Sequence, residues 1–242
     1  MKWNDKGILI GITKFGETDQ IATFVTSSHG LSRGLIKGGI SKKIKPYLQI
    51  GNEFEIIWKS RLEEQLGFFT FDPIKIYGAS LFETQLKLTL LSCCCNLLYE
   101  SMAENHPNHT IYLSTLNLIH DIESEHNELG LLYEYMMWEF EMLSELGFAL
   151  TLDHCNATGS ATDLCYISPK TGHAICKTAG FPYRAKLLKF PTLWHNKNFL
   201  KFSELTLENI HEALHVLEYF FDQHIYIEKH KSIPYLRRNL GK

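Results

Sequence analysis

The sequence predicts an α+β protein in which a small N-terminal β-barrel precedes an α-helical domain that carries an irregular insert. Three observations predict this fold class: short apolar runs broken by turn residues up to about residue 76, helical periodicity beyond it, and an interruption of that periodicity at 151–191. The predicted boundaries are a barrel over 1–78 and a helical domain over 79–242. A hydrophobic fraction of 45% is sufficient for buried cores in both parts.

Five runs of strand character account for the predicted barrel. They are GILIGITKF, DQIATFVTSS, LSRGLIKGG, NEFEIIWKS and LGFFTF. The fourth run places Phe54, Ile56 and Trp58 on one face, which is the alternation of a half-buried strand. Turn residues punctuate the runs at His29-Gly30, Gly38-Gly39 and Gly51-Asn52. Short strands separated by such turns suit a small closed or partly open barrel.

Helices are predicted after the barrel, over 79–104, 110–123, 128–147 and 203–227. Gly147 is the predicted C-cap of the third helix, and Ser203 is the predicted N-cap of the last. The buried side of the last helix is predicted to be Leu205, Leu207, Ile210, Leu214, Leu217 and Phe221.

Charge is unevenly distributed along the chain. Residues 1–80, 81–150 and 151–242 carry formal charges of +3, −10 and +4, although the net charge is only −3. Such segregation indicates separate modules and allows a polyanionic partner that the net charge would not suggest.

Composition also bears on the compartment. No apolar run approaches eighteen residues and the N-terminus lacks a cleavage-like site, so we expect a cytosolic protein without a membrane span. The six cysteines, three of them consecutive at 93–95, are expected to be reduced and mostly buried.

A metal-enzyme motif occurs at His211-Glu212-Ala213-Leu214-His215, which matches HExxH. On a helix this spacing places two imidazoles one turn apart on zinc, with the glutamate as general base. No recognisable third ligand follows, and the apolar stripe puts the two histidines on the opposite side of the helix. We therefore predict a solvated polar face formed by His211, His215, Glu218 and Asp222, with a zinc metallohydrolase as the alternative.

The insert contains half of a structural zinc site. Four ligands on two Cys-x2-Cys turns are needed, yet Cys155 is followed at that spacing by Thr158 and Cys176 by Ala179. The histidines that could add nitrogen ligands are His154 and His173. We predict a degenerate site around Cys155 and Cys176 with no metal, and no cofactor elsewhere.

The most distinctive stretch is 34–51, GLIKGGISKKIKPYLQIG. The candidate DNA-binding residues in and beside it are Arg33, Lys37, Lys42, Lys43 and Lys45, and no acid lies among them. Glycines let a backbone approach phosphates closely, and an OB-like barrel binds nucleic acid through cations and stacking aromatics. The aromatic candidates are Tyr47, Trp58, Phe68 and Phe69. The alternatives are a merely solvated loop for the lysines and ordinary barrel core for the rings.

Several short sequence motifs, taken together with their order along the chain, resemble those of the RecO family of bacterial recombination mediators. They are Gly16-Glu17-Thr18-Asp19-Gln20, His29-Gly30, Lys37-Gly38, Leu143 to Gly147 leading into Cys155, and Ser168-Pro169-Lys170-Thr171-Gly172. The resemblance implies an N-terminal OB-fold barrel and a helical domain with a zinc-finger-like insert. In this chain the insert departs from metal-binding members at Thr158 and Ala179.

The resemblance further implies a DNA repair and recombination mediator rather than an enzyme. Such a protein binds single- and double-stranded DNA, anneals complementary strands, and with RecR helps RecA to replace single-strand-binding protein, in the cytoplasm and at the nucleoid. The acidic C-terminal tail of single-strand-binding protein is a further implied partner. Because 81–150 holds only one cation, Lys87, the candidate anchors for that tail are Lys186, Lys189, Arg237 and Arg238. A DNA-independent adaptor remains the second alternative.

Overall fold

Five strands at the N-terminus close into a barrel. They are β1 Lys2–Phe15, β2 Asp19–Thr26, β3 Gly30–Ile36, β4 Glu53–Lys59 and β5 Gly67–Lys75. The neighbour order is β1-β2-β3-β5-β4, with β4 pairing back onto β1, and only β3 and β5 run parallel. The predicted α+β fold with an N-terminal OB-like barrel is confirmed.

The computed structural model describes residues 1–62, 65–125, 127–195 and 205–240, the side chain of Ala79 excepted. The chain divides into two compact units, Met1–Ser124 and Glu125–Lys242. The first contains the barrel and the first two long helices, and the second contains the insert and the remaining helices. The predicted division at residue 78 stays a prediction.

The barrel interior is formed by the alternating residues of its strands. Phe54, Ile56 and Trp58 are buried as the period-2 pattern of β4 predicts. Glu53 is buried as well, although its residue type suggests solvent, because the Tyr112 hydroxyl donates a 2.8 Å hydrogen bond to its Oε1. Gly30 adopts φ +67° and a Cβ there would lie 2.1 Å from the His106 carbonyl oxygen, so only glycine fits this turn.

Two long helices complete the first unit, α1 Gln85–Ser101 and α2 His109–Ser124. The helix predicted from residue 79 is broken, because a 3-10 turn over Ala79–Phe82 precedes α1 and the Thr84 side chain caps it at the Lys87 N–H. The three consecutive cysteines are buried in α1 as reduced thiols, as predicted.

The second unit is organised by α3 Glu128–Leu143 and α5 Leu207–Phe221. A π-helical turn, Ser144–Phe148, follows α3, and the predicted cap Gly147 has φ +90° within it, so the helical path breaks at that residue rather than at the end of α3. The N-cap of α5 is Thr206, and the predicted cap Ser203 lies outside the described residues. Leu207 is exposed, contrary to prediction, because it occupies the first turn, outside the buried stripe from Ile210 to Phe221.

The insert predicted as irregular contains a three-stranded sheet. Its strands are β6 Leu164–Ile167, β7 Ala174–Cys176 and β8 Leu188–Lys189, in the order β7-β6-β8. These strands are too short to show alternation in the sequence. Two single-turn helices, α4 Lys177–Gly180 and α6 Tyr235–Arg238, complete the unit. In the described part of the chain, no helix has both the length and the apolar character to cross a membrane.

Candidate nucleic-acid interface

A groove on the barrel brings two of the predicted cations together with exposed aromatic rings. The groove encloses about 830 Å³ between the loop after β3 and the strand β5. Lys37 and Lys43 line it, together with Tyr47 and Phe68. The Lys37 ammonium lies 4.9 Å from the Phe68 ring centroid, a cation–π contact. One carboxylate, Asp72, also lines the groove.

The four aromatic candidates divide into two pairs. Tyr47 and Phe68 are 46% and 44% exposed, whereas Trp58 and Phe69 are only 7% and 4% exposed. Phe68 and Phe69 are sequence neighbours on a strand, so they face opposite sides of the barrel wall. The ordinary-core alternative therefore holds for Trp58 and Phe69, and the other two rings are available for stacking.

The basic loop is built from consecutive turns and is anchored to the barrel. Backbone hydrogen bonds link Ser41 to Gly38 at 2.9 Å and Lys45 to Ser41 at 2.9 Å. Ile44 packs against the barrel core, and Leu48 is buried in it. These contacts hold the backbone of the loop against the barrel, and whether its lysines bind DNA or are merely solvated stays a prediction.

Asp19 holds the start of this loop. Its carboxylate accepts a 2.8 Å hydrogen bond from the Gly38 N–H, and that bond, with one from the Thr18 hydroxyl, lowers the pKa of Asp19. The Ile40 N–H donates to the Thr18 carbonyl at 3.2 Å. Two of the sequence motifs that carry the family resemblance, one at Asp19 and one at Gly38, are thus in direct contact through this hydrogen bond.

The remaining predicted cations lie elsewhere. Lys42 and Lys45 are exposed on the same loop but do not line the groove. Arg33 lines a different cavity, of about 270 Å³, and its guanidinium is 3.6 Å from the Glu104 carboxylate. The five residues therefore do not form one patch.

Sequence reasoning missed Lys59. This exposed residue is the direct cross-strand partner of Phe68, and opposed residues in a sheet present their side chains to the same face. The alternation of β4 could have predicted the outward position of Lys59, because this residue follows buried Trp58.

The residues of the degenerate zinc site, Cys155, Thr158 and Ala179, all contact the Cys176 thiol. The Thr178 and Thr158 hydroxyls lie 3.3 Å and 3.5 Å from its sulfur. Hydrogen bonds from these hydroxyls, the Ala179 backbone and the Cys155 side chain lower the pKa of Cys176 to about 6. Among the described residues, no group of three or more histidine, cysteine or acidic side chains is arranged to hold a metal. The absence of zinc stays a prediction.

Restoring the two missing thiols should create a zinc site. We expect the double variant T158C/A179C to bind one zinc ion per chain, because four thiolates at two tight turns satisfy tetrahedral coordination. Metal analysis after dialysis, with cobalt charge-transfer absorbance as a second readout, measures this. The control is T158S/A179S, which has no added thiol. Stoichiometric zinc in the parent protein, or none in T158C/A179C, would contradict the expectation.

The HExxH motif is not arranged as a metal site. The Lys189 ammonium donates to Oε1 of Glu212, and the Thr192 N–H and hydroxyl donate to Oε2 at 3.0 and 2.9 Å. Burial alone would raise the pKa of Glu212, but these hydrogen bonds outweigh it and lower that pKa. A carboxylate held in this way is a weak general base.

The predicted solvated face of α5 is only partly solvated. His215 is exposed, whereas His211 is half-buried. The Asp222 carboxylate accepts a hydrogen bond from the Ile233 N–H at 3.4 Å, and Glu218 lies 3.6 Å from Arg238. The prediction holds for His215 but not for Glu218 and Asp222, because later chain segments contact these two residues and periodicity within one helix does not reveal such contacts.

The closed five-stranded barrel places the first unit in the class of OB-like folds. Two family models match the chain: Recombination protein O N terminal over residues 1–77 and Recombination protein O C terminal over residues 83–234.

Proteins named DNA repair protein RecO align over nearly the whole chain. The one from Sinorhizobium medicae is 34% identical over 93% of this chain and 88% of its own length. Those from Brucella abortus strain 2308 and Methylocella silvestris are 35% and 32% identical, over 97% and 98% of this chain and 92% and 94% of their own. The chain belongs to the RecO family of DNA repair and recombination proteins.

Proposed function

We propose that this protein binds single- and double-stranded DNA, anneals complementary strands, and with RecR assists the loading of RecA onto strands coated with single-strand-binding protein. The observation that carries the proposal is the groove in which Lys37 and Lys43 accompany the exposed rings of Tyr47 and Phe68. Cations can neutralise phosphates while unpaired bases stack on the rings.

The chemistry is association without bond-making or bond-breaking. Binding to the backbone is sequence-tolerant because every phosphate carries the same charge, and stacking is tolerant because every base has a π-face. Two complementary polyanions repel each other, and neutralising their phosphates lowers this barrier to pairing. Membership in a family of DNA repair mediators supports this role over a catalytic one.

The accessible cations limit where the acidic tail of single-strand-binding protein could bind. Arg237 does not fit an anchor for the acidic tail of single-strand-binding protein, because it is buried against Glu139. Lys189 is bound to Glu212, and Lys87, the single cation of 81–150, is buried with its ammonium on the Glu123 carbonyl. Arg238 is exposed but lies 3.6 Å from the Glu218 carboxylate, and Lys186 is exposed.

An annealing assay with two complementary oligonucleotides tests the proposal. Phe68→Ala should lower single-strand affinity about tenfold, since stacking of one base contributes on the order of 1–3 kcal/mol. Phe15→Ala is the matched control, because Phe15 is an exposed ring of the same barrel that does not line the groove.

The same assay separates the alternatives. Chelator should leave annealing unchanged, whereas a metallohydrolase would show chelator-sensitive hydrolysis. A DNA-independent adaptor would bind neither oligonucleotide. Equal affinity of Phe68→Ala and the parent protein, or affinity that is constant between low and moderate salt, would refute the proposal.

A further inference from the structure

A second basic and aromatic surface lies on the insert of the other unit. The 3-10 turn Phe181–Lys186 is exposed at every one of its residues. Phe181 and Tyr183 are 56% and 65% exposed. Two large rings displayed to water in one turn are unfavourable for a free surface and indicate a contact that covers them.

The turn is firmly seated on the small sheet. Gly180 precedes it and packs so closely on Tyr166 of β6 that a Cβ would lie 2.3 Å from the Tyr166 ring. The Arg184 guanidinium lies 4.5 Å from the Phe181 ring centroid and donates a 3.2 Å hydrogen bond to the Phe181 carbonyl. The rings are therefore presented on an ordered support.

Only positive charges occur along the stretch of sequence that contains this turn. Residues 164–195 contain no aspartate or glutamate. The cations of this range are Lys170, Lys177, Arg184, Lys186 and Lys189. Lys189 is paired with Glu212, and the other four are exposed. This concentration of exposed positive charge favours a polyanionic partner.

Exposed rings and unopposed cations together fit one class of polyanion best. A DNA duplex would satisfy the cations, but its bases are paired and stacked, so they could not cover the rings. An acidic peptide would also satisfy the cations, but only its aromatic side chains could stack on the rings, whereas every nucleotide of a strand carries a base. Unpaired nucleic acid supplies both a phosphate chain and free base faces.

We propose that the turn Phe181–Lys186 is a second binding surface for single-stranded nucleic acid. Bases stack on Phe181 and Tyr183, while Arg184 and Lys186 contact the flanking phosphates. Each compact unit then has its own strand-binding surface, so one molecule holds two strands at once. The inference rests on the proposed function for its biological sense, but it concerns different residues in a different unit.

Photo-crosslinking of the full-length protein to an oligonucleotide with halogenated uracil tests this directly. We expect adducts on the turn 181–186 as well as on the barrel groove. The double variant F181A/Y183A should lose the adducts on the turn and anneal about tenfold more slowly, while retaining a single-strand complex through the groove. Tyr235→Ala is the matched control, because Tyr235 is a 79% exposed ring of the same unit outside the turn.

The outcomes separate this inference from the proposed function. Adducts confined to the groove, with parental annealing by F181A/Y183A, overturn the second surface and leave the proposed function standing. Adducts confined to the turn support the inference and remove the groove as the site that carries the proposed function. If F181A/Y183A loses binding to an acidic peptide or to anionic vesicles but retains the oligonucleotide adducts, the turn is a docking surface of another kind and the inference is wrong.

Discussion

The double variant K37E/K43E is expected to bind single-stranded DNA about 30-fold more weakly than the parent protein at 0.1 M salt. Each single-strand phosphate contact contributes about 0.7 to the slope of log affinity against log salt, so two lost contacts lower that slope by about 1.4. The reversed charges add repulsion to this loss. Fluorescence anisotropy with a labelled oligonucleotide over a salt series measures both the affinity and the slope.

The same loop offers a matched control for this result. K42E/K45E makes an identical change in charge on exposed residues of that loop that do not line the groove. We expect it to weaken binding less than K37E/K43E. A third variant, K229E/K231E, makes the same change in net charge in an exposed turn of the other unit. Equal losses in all three variants would show that net charge, not the groove, determines binding.

The variant Arg237→Met is expected to destabilise the second unit by about 3–5 kcal/mol, because it leaves a buried carboxylate without its partner. The Arg237 guanidinium donates to both oxygens of Glu139, at 2.5 and 2.6 Å, and to the Leu214 carbonyl at 3.0 Å. One side chain thus links the C-terminal turn to both α3 and α5. Urea unfolding gives the size of the loss, and hydrogen exchange in α3 and α5 assigns it to this unit.

Two further variants show which part of the arginine is needed. Arg237→Lys should be nearly as damaging, because an ammonium cannot make the two-pronged contact with the carboxylate. The double variant E139L/R237M should lose much less stability, because no charge then remains buried without a partner. If E139L/R237M is as unstable as Arg237→Met, packing of the arginine stem rather than the ion pair supports the unit.

Residues of one chemical type in this chain have opposite environments, and local sequence did not distinguish them. Phe68 and Phe69 are adjacent, so alternation predicts opposite faces but not which face is inside. Closure of the barrel decides this, because Phe69 lies 5.0 Å from the Phe24 ring in the interior and Phe68 is left outside. The aromatic part of the site therefore could not be predicted in full before the barrel was formed.

The burial and the partner of Arg237 likewise could not be predicted from local sequence. This residue was a candidate anchor because it stands in a basic C-terminal stretch, Arg237-Arg238, yet its partner Glu139 is 98 residues away. Glu53 is a second case, since the hydroxyl that permits its burial belongs to Tyr112, 59 residues later. A charge pattern read along the chain cannot reveal such partners.

By itself, the sequence determined the order and type of the barrel strands and the long helices, the segregation of charge and the existence of a basic glycine-rich loop after the third strand. These features depend on periodicity, turn residues and local composition, which act within a few neighbouring residues. Only the tertiary structure decided which lysines share a groove with exposed rings, which cations are consumed in buried pairs, and where a second basic turn stands free. Those outcomes depend on contacts between residues far apart in the chain, and only folding brings such residues together.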